Sequence, residues 1–380
     1  MTAFTFTAPH STVFGRGTRA EAAERVAALG HRVLLVRGRA VDWVDMLHDA
    51  LIGQGCAVES VVSTGEPDLD SVRRGVNAAR THSADCVVGV GGGAVIDLGK
   101  AIAALCPSAG NVADYLPSDG TPPRQFADPL PTVAIPTTAG TGAEATRNAV
   151  LGLPGTGAKI SLRDARLVPD LAIVDPALTD GAPRGLTLAS GLDAITQLIE
   201  CYLSCRATPI TDALTQSAIS PAVAALKTLM RNEDPAARDD MARASYLSGL
   251  ALANSGLGIV HGLASIIGGR GGAHGAICGR LLPAALDVNA AALRSRGLSS
   301  ARIEEIDIIL NRHFGDSATS GSAALRHFID RHELPALAAL NLHNADKPEV
   351  ANLAVTASST RANPVSLTED EIALILRDTD

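Results

Sequence analysis

Rings are scarce in this chain of 380 residues: six Phe, three Tyr and one Trp, or 3%. A core so short of aromatics must be filled by Ala, Leu, Val and Ile, which suits layers of strand and helix. Basic character is lacking too. Lys and Arg number 32 against 40 Asp and Glu, leaving a net charge of −8 and a pI near 5.7. Such a balance argues against a basic stripe, so no nucleic-acid partner is expected. No apolar run reaches about 18 residues, so no membrane span is expected. The first ten residues lack the basic start and apolar stretch of a secretory signal, and a cytoplasmic protein is expected. The six cysteines, at 56, 86, 106, 201, 205 and 278, are scattered through apolar segments and read as buried, reduced thiols. Cys201 and Cys205 share a helical face, but no second cysteine pair completes a zinc site. What is present is 46% hydrophobic and 19% charged residues, enough for a full core and a prior of two to three domains.

Up to about residue 180, short apolar runs alternate with helical patterns. Strands are expected over 31–36, 56–62, 86–90, 132–135 and 171–174. Helices are expected over 19–29, 41–52, 69–81 and 95–105. That alternation means a mostly parallel sheet with helices on both faces. The opening FTFTAPHSTVFG reads as an extra hairpin. Beyond residue 180 the reading is helical throughout, over 188–203, 211–230, 236–268, 300–313, 323–332 and 367–377. The expected organisation is an α/β domain over 1–182 and an all-helical domain over 183–380, with a cleft between the halves.

Two loops suggest a nucleotide. Gly89-Val90-Gly91-Gly92-Gly93-Ala94 follows a strand and opens a helix. Glycines there let bare backbone N–H groups approach a pyrophosphate at a helix N-terminus. The run lies on a later strand than in an ordinary dinucleotide fold, and a ligand-free turn is the plain alternative. PTTAGTGAEAT (136–146) also follows a strand and gathers Thr137, Thr138 and Thr141 with two glycines. Ligands of open α/β sheets bind at that carboxyl edge.

The helical half carries a second constellation. Asp193 sits in SGLDAITQLIECYLS, where an unpaired buried carboxylate would cost several kcal/mol. Gln197 lies one turn on. His261 occupies the equally apolar GLGIVHGLASIIGG, and His274 follows a glycine-rich loop. One Asp, two His and a carboxamide can hold a divalent metal, whereas a plain Asp193–His261 pair would be structural.

Together GGGAVIDLGK, IPTTAGTGAEATRNAV, SGLDAITQLIE, GLGIVHGLA, the His-Gly at 274–275 and ASSTRANPVSLTEDEI resemble the motifs of the iron-containing (group III) alcohol dehydrogenase family, end to end and in order. The resemblance implies a dinucleotide-binding α/β domain and an all-α domain, a fold shared distantly with dehydroquinate synthases. It implies interconversion of an alcohol and an aldehyde or related carbonyl, with nicotinamide beside a divalent metal, iron or zinc, in a homodimer or larger oligomer. Carried over, Gly92, Gly93 and Ala94 cradle the pyrophosphate with Asp97 close by. Thr137, Thr138 and Thr141 line the nucleotide, and Lys159 reaches the ribose. Asp193, His261 and His274 match three metal ligands. The usual fourth ligand is histidine and here is Gln197; a further usual histidine is Ser265, leaving Ser265, water or the ribose to deliver a proton. The loop over 268–273 is about one residue short.

Gly38 falls where NAD-preferring members carry an acidic residue. It is flanked by Arg37 and Arg39, and no carboxylate follows until Asp42. NADPH is therefore expected over NADH. A non-redox lyase, cyclase or isomerase on the same scaffold is the alternative, and a silent nucleotide-binding protein a third.

Overall fold

The computed structural model describes residues 3–39, 43–116, 123–153, 158–315 and 320–379. Contacts divide the chain into two units, one of Thr7–Thr138 and Gly142–Thr179, the other of Met1–Phe6, Ala139–Thr141 and Asp180–Asp380.

The first unit is built on strands β1 (Ser11–Phe14), β2 (Arg32–Arg37), β3 (Ala57–Val62), β4 (Cys86–Gly91), β5 (Thr132–Pro136), β6 (Asn148–Leu153), β7 (Ala158–Arg163) and β8 (Leu171–Val174). Helices α1 (Ala22–Ala27), α2 (Trp43–Gly53), α3 (Leu69–His82) and α4 (Gly93–Leu105) connect them. Six strands form one parallel sheet in the order β1-β8-β5-β4-β2-β3. Alternate side chains of β2 feed opposite layers. Leu34 and Val36 pack with α3 and α4, while Val33 and Leu35 pack with α1 and α2. Both faces are covered, which is why these strands read as near-continuous apolar runs.

Two expectations need correction here. FTFTAPHSTVFG is no hairpin: its one strand, β1, pairs in parallel with β8 at the sheet edge. The hairpin of this unit lies elsewhere, in the antiparallel β6–β7 pair, which the sequence reading passed over. Asp42 and the first residues of the expected helix over 41–52 lie outside the described residues.

The second unit is helical: α5 (Arg184–Leu203), α6 (Pro209–Leu229), α7 (Pro235–Ser255), α8 (Ile259–Gly269), α9 (His274–Ser295), α10 (Ala301–Phe314), α11 (Gly321–Arg331), α12 (Lys347–Thr356) and α13 (Glu369–Arg377). The single helix expected over 236–268 is in fact α7 and α8, bent by 103° at the intervening residues. Gly256 there has φ +87°, a backbone conformation that ends α7 and that side-chain-bearing residues avoid. Helices α9 and α12 were not anticipated. Helix α9 is long and apolar enough to cross a membrane, but its residues are mostly buried in the core of this unit.

Candidate active site

In the sheet unit the chain runs from β2 to β3 on one side and to β4 on the other, so the strand order reverses between β2 and β4. That reversal opens a crevice at the carboxyl ends of the strands. It explains why the glycine-rich turn sits on a later strand than expected: β4 is the strand at the switch point. Helix α4 begins there with Gly92 as N-cap, and no side chain caps it. Its first-turn amides and the positive end of the helix dipole therefore face the crevice, a fit for the phosphates of a dinucleotide. A Cβ on Gly92 would stand 3.4 Å from Thr138 Oγ1, so a side chain here would enter the same space. Thr137 continues β5, its amide bonding Gly91 O at 3.0 Å.

The residues read as cofactor contacts divide. Gly38, just past β2, donates its N–H to Val90 O at 3.2 Å, so Arg37, Gly38 and Arg39 sit beside the glycine turn. The Arg37 guanidinium is paired with the Asp45 carboxylate of α2. Arg39 is exposed and makes no ion pair among the described residues. Asp97 is turned inward, accepting from Val150 N at 3.0 Å and standing 3.3 Å from Lys100 Nζ, so it ties α4 to β6. Lys159 on β7 pairs with Glu66 at 3.0 Å.

In the helical unit, α5 presents Asp193, Gln197 and Glu200 at i, i+4 and i+7, one stripe of one face. Asp193 and His261 are buried, with 3% and 4% exposure. Asp193 Oδ1 lies 3.4 Å from His261 Nε2 and 3.8 Å from His274 Nε2. Cys278 Sγ lies 3.7 Å from His274 Nε2, and the donor atoms of all four residues fall within 4.8 Å of one another. Asp193 Oδ1 and His261 Nε2 are buried and make no hydrogen bond among the described residues, facing each other only at the 3.4 Å ion-pair distance. Leaving two such atoms unmet costs on the order of 1–3 kcal/mol each, which a shared cation would remove.

Burial alone would push both imidazoles toward neutrality. The Cys278 sulfur and the Asp193 carboxyl outweigh it, carrying His274 above the ordinary histidine range and His261 well above. Burial would likewise raise Asp193, but His274 and His261 hold it below the usual carboxylate range. The shifts are reciprocal: the carboxylate and the sulfur favour positive charge on the imidazoles, and the imidazoles favour negative charge on Asp193.

Glu200 aims the ring of His261. Its Oε2 lies 2.6 Å from His261 Nδ1, so that nitrogen keeps a hydrogen, and Nε2, which faces the cluster, is the position that gives up its proton when a cation binds. The same carboxylate accepts Val260 N at 2.7 Å and His261 N at 3.3 Å, while Asn363 Oδ1 accepts Ile259 N at 3.1 Å. Remote side chains thus satisfy the opening amides of α8. The glycines after each histidine allow the close packing. A Cβ on Gly262 would meet Thr360 Oγ1 at 2.2 Å, and one on Gly275 would meet Ala189 O at 2.4 Å.

Gln197 does not bring its amide nitrogen to the cluster; it donates to Thr141 O at 3.0 Å and Ser248 Oγ at 2.8 Å. Ser265, one turn past His261, donates to Gly262 O at 2.8 Å. Sequence reasoning missed Cys278 and Glu200. The available signal was spacing: Cys278 is four residues after His274, and Glu200 is seven after Asp193. The donor set of one carboxylate, two imidazoles and one thiol, with two orphaned buried atoms, fits a divalent metal.

A sheet unit with an uncapped helix at its switch point, and a helical unit with a buried metal-type cluster, describe a class of dinucleotide- and metal-dependent enzymes. Residues 9–176 match the iron-containing alcohol dehydrogenase family, and residues 187–379 match the C-terminal domain of the Fe-containing alcohol dehydrogenase family. Alcohol dehydrogenase 4 of Schizosaccharomyces pombe is 31% identical over 383 residues, covering 98% of this chain and 88% of that one. The NAD-dependent methanol dehydrogenase of Bacillus methanolicus is 30% identical, covering 98% of both. A crystal structure of 1,3-propanediol oxidoreductase superposes with a TM-score of 0.87 at 29% identity over 100% of each chain. The chain belongs to the iron-containing alcohol dehydrogenase family, and with it to the oxidoreductases of the alcohol–aldehyde couple.

Proposed function

We propose that the protein reduces an aldehyde or related small carbonyl with NADPH, the carbonyl oxygen held at the Asp193–His261–His274–Cys278 cluster. The observation that carries this reading is the pair of orphaned buried atoms, Asp193 Oδ1 and His261 Nε2, among four converging donors. A divalent ion held by these residues would supply Lewis-acid polarisation of the substrate oxygen, and the nicotinamide the hydride.

The chain's own residues do the rest. Glu200 fixes the tautomer and direction of His261. The amides of Gly93 and Ala94 receive the pyrophosphate, with Thr137, Thr138 and Thr141 along the nucleotide and Lys159 toward the ribose. Ser265, or water beside it, passes the proton that completes the alcohol; its hydroxyl lies one turn from His261.

The preference for NADPH is supported by Gly38, which leaves room for a 2′-phosphate, and by Arg39, exposed beside it. The relative named NAD-dependent shows that the family also serves the other cofactor. The test is NADPH and NADH consumption over an aldehyde panel, before and after chelation and metal restoration. Aldehyde-dependent NADPH oxidation, lost on chelation and regained with metal, is expected. Tight nucleotide binding with no turnover on any aldehyde would overturn the reading.

A further inference from the structure

We propose that Cys278, as a thiolate, is the fourth protein ligand of the ion held by Asp193, His261 and His274, and that the site in consequence takes zinc in preference to iron. The inference rests on the metal reading above and deepens it.

Position comes first. Cys278 follows His274 by four residues on α9, so both side chains leave the same face of one helix. That face is held against α5 by two further close approaches. A Cβ on Gly275 would stand 3.2 Å from Asp193 Cβ, and one on Gly279 would stand 2.6 Å from Leu192 Cδ1. The sulfur is fully buried.

Distance comes second. Ligand atoms held at about 2.0–2.3 Å around a tetrahedral zinc stand roughly 3.3–3.8 Å from one another. Three of the six spacings among the four donor atoms, 3.4, 3.8 and 3.7 Å, fall within that range, and the remaining three stay within 4.8 Å, so small side-chain adjustments close the set around one ion. Gln197 could offer the ion only its neutral amide oxygen, a weaker donor to zinc than a thiolate.

Chemistry comes third. A thiolate is a softer donor than the imidazole it stands in for, and affinity of a mixed N/O/S site already rises from Fe²⁺ to Zn²⁺. Zinc has no geometric demand of its own, accepts carboxylate, imidazole and thiolate together, and can expand from four ligands to five, which leaves a position for the substrate oxygen beside the four protein donors. As the sulfur–metal bond forms, the thiol proton passes to solvent and no electron moves.

The experiment is cobalt substitution of the stripped full-length protein. One equivalent of Co²⁺ should give visible ligand-field bands and a near-ultraviolet thiolate-to-cobalt charge-transfer band. The charge-transfer band should survive in Cys205→Ser, which removes the exposed thiol, and vanish in Cys278→Ser while the visible bands persist. In anaerobic competition with equal Zn²⁺ and Fe²⁺, the parent should retain zinc, and Cys278→Ser should lose at least ~10-fold in zinc affinity. X-ray absorption at the zinc edge needs no variant and should show one sulfur at about 2.3 Å beside nitrogen and oxygen at about 2.0 Å. Visible cobalt bands without charge transfer, a charge-transfer band persisting in Cys278→Ser, a zinc edge without sulfur, or iron retained over zinc would overturn the proposal and leave the metal reading standing. Failure to bind Co²⁺ at all would overturn both.

Discussion

Glu200 touches no substrate in the scheme above, yet His261 is aimed by it. Exchanging it for Gln keeps an oxygen for the α8 amides but offers an N–H to Nδ1, which favours the tautomer with hydrogen on Nε2. Glu200→Gln should therefore fold while metal affinity falls by about 10–100-fold, read by titration with a metal indicator. At the other unit's crevice, Arg37 already has Asp45 as a partner. Arg39→Ala should cost ~10-fold or more in NADPH affinity, the size of one charge-assisted contact, and leave NADH unchanged. Arg37→Ala should do less; fluorescence titration with each cofactor decides. These residues also show how far the site was legible. Asp193, His261 and His274 stood out because ionisable groups in apolar stripes need partners. Cys278 did not, since a cysteine among Ala, Ile and Leu is ordinarily a small core residue. Nor did Glu200, because a stripe of three polar groups on α5 shows only when counted at helical spacing.

At the scale of elements, periodicity located most helices and the strands of the parallel sheet, where burial on both faces writes a continuous apolar signal. It failed where the signal is local backbone geometry. The α7–α8 break depends on a positive φ at Gly256, and an unbroken apolar pattern runs through it. Strand β1 took its partner from 160 residues downstream, which no short window reveals. The turn after Gly142 offers a pH test. Burial pushes the Glu144 carboxyl up to about 7, against the opposing pull of Lys100, from an ordinary 4.5. The folded state thus holds a proton that the unfolded chain releases between those values, so stability falls as pH rises from 4.5 through 7. Glu144→Gln should match the parent near the low end of that window. Above its upper end the variant should be more stable by roughly 1–3 kcal/mol, measured by denaturant titration at each pH.

For the whole molecule, each unit has its own hydrophobic core and, in the reading above, its own ligand. A ligand that binds only the folded form stabilises in proportion to RT ln(1 + [L]/Kd), about 2.7 kcal/mol at a hundredfold excess over Kd. Metal should therefore slow hydrogen exchange first in α5, α8 and α9. NADPH should slow it first at the β4–α4 turn and the end of β2. Mass-spectrometric exchange with each ligand separately checks this, and equal protection of both units by metal alone would contradict it.

The glycines at 258, 262 and 275 give the site an unusual liability to mutation. A Cβ at Gly258 would meet Glu200 Oε1 and Asn363 Oδ1 at 2.8 Å, inside the contacts that cap α8 and orient His261. Counting ligands alone understates the number of positions at which one nucleotide change could disable metal binding. Three backbone positions, none contributing a donor atom, are as exposed to loss as the donors themselves. Gly258→Ala should behave as a ligand knock-out, with metal lost from purified protein while the sheet unit still binds nucleotide. Inherited or selected loss of activity in such a chain would then be expected at glycines as readily as at Asp193 or the two histidines.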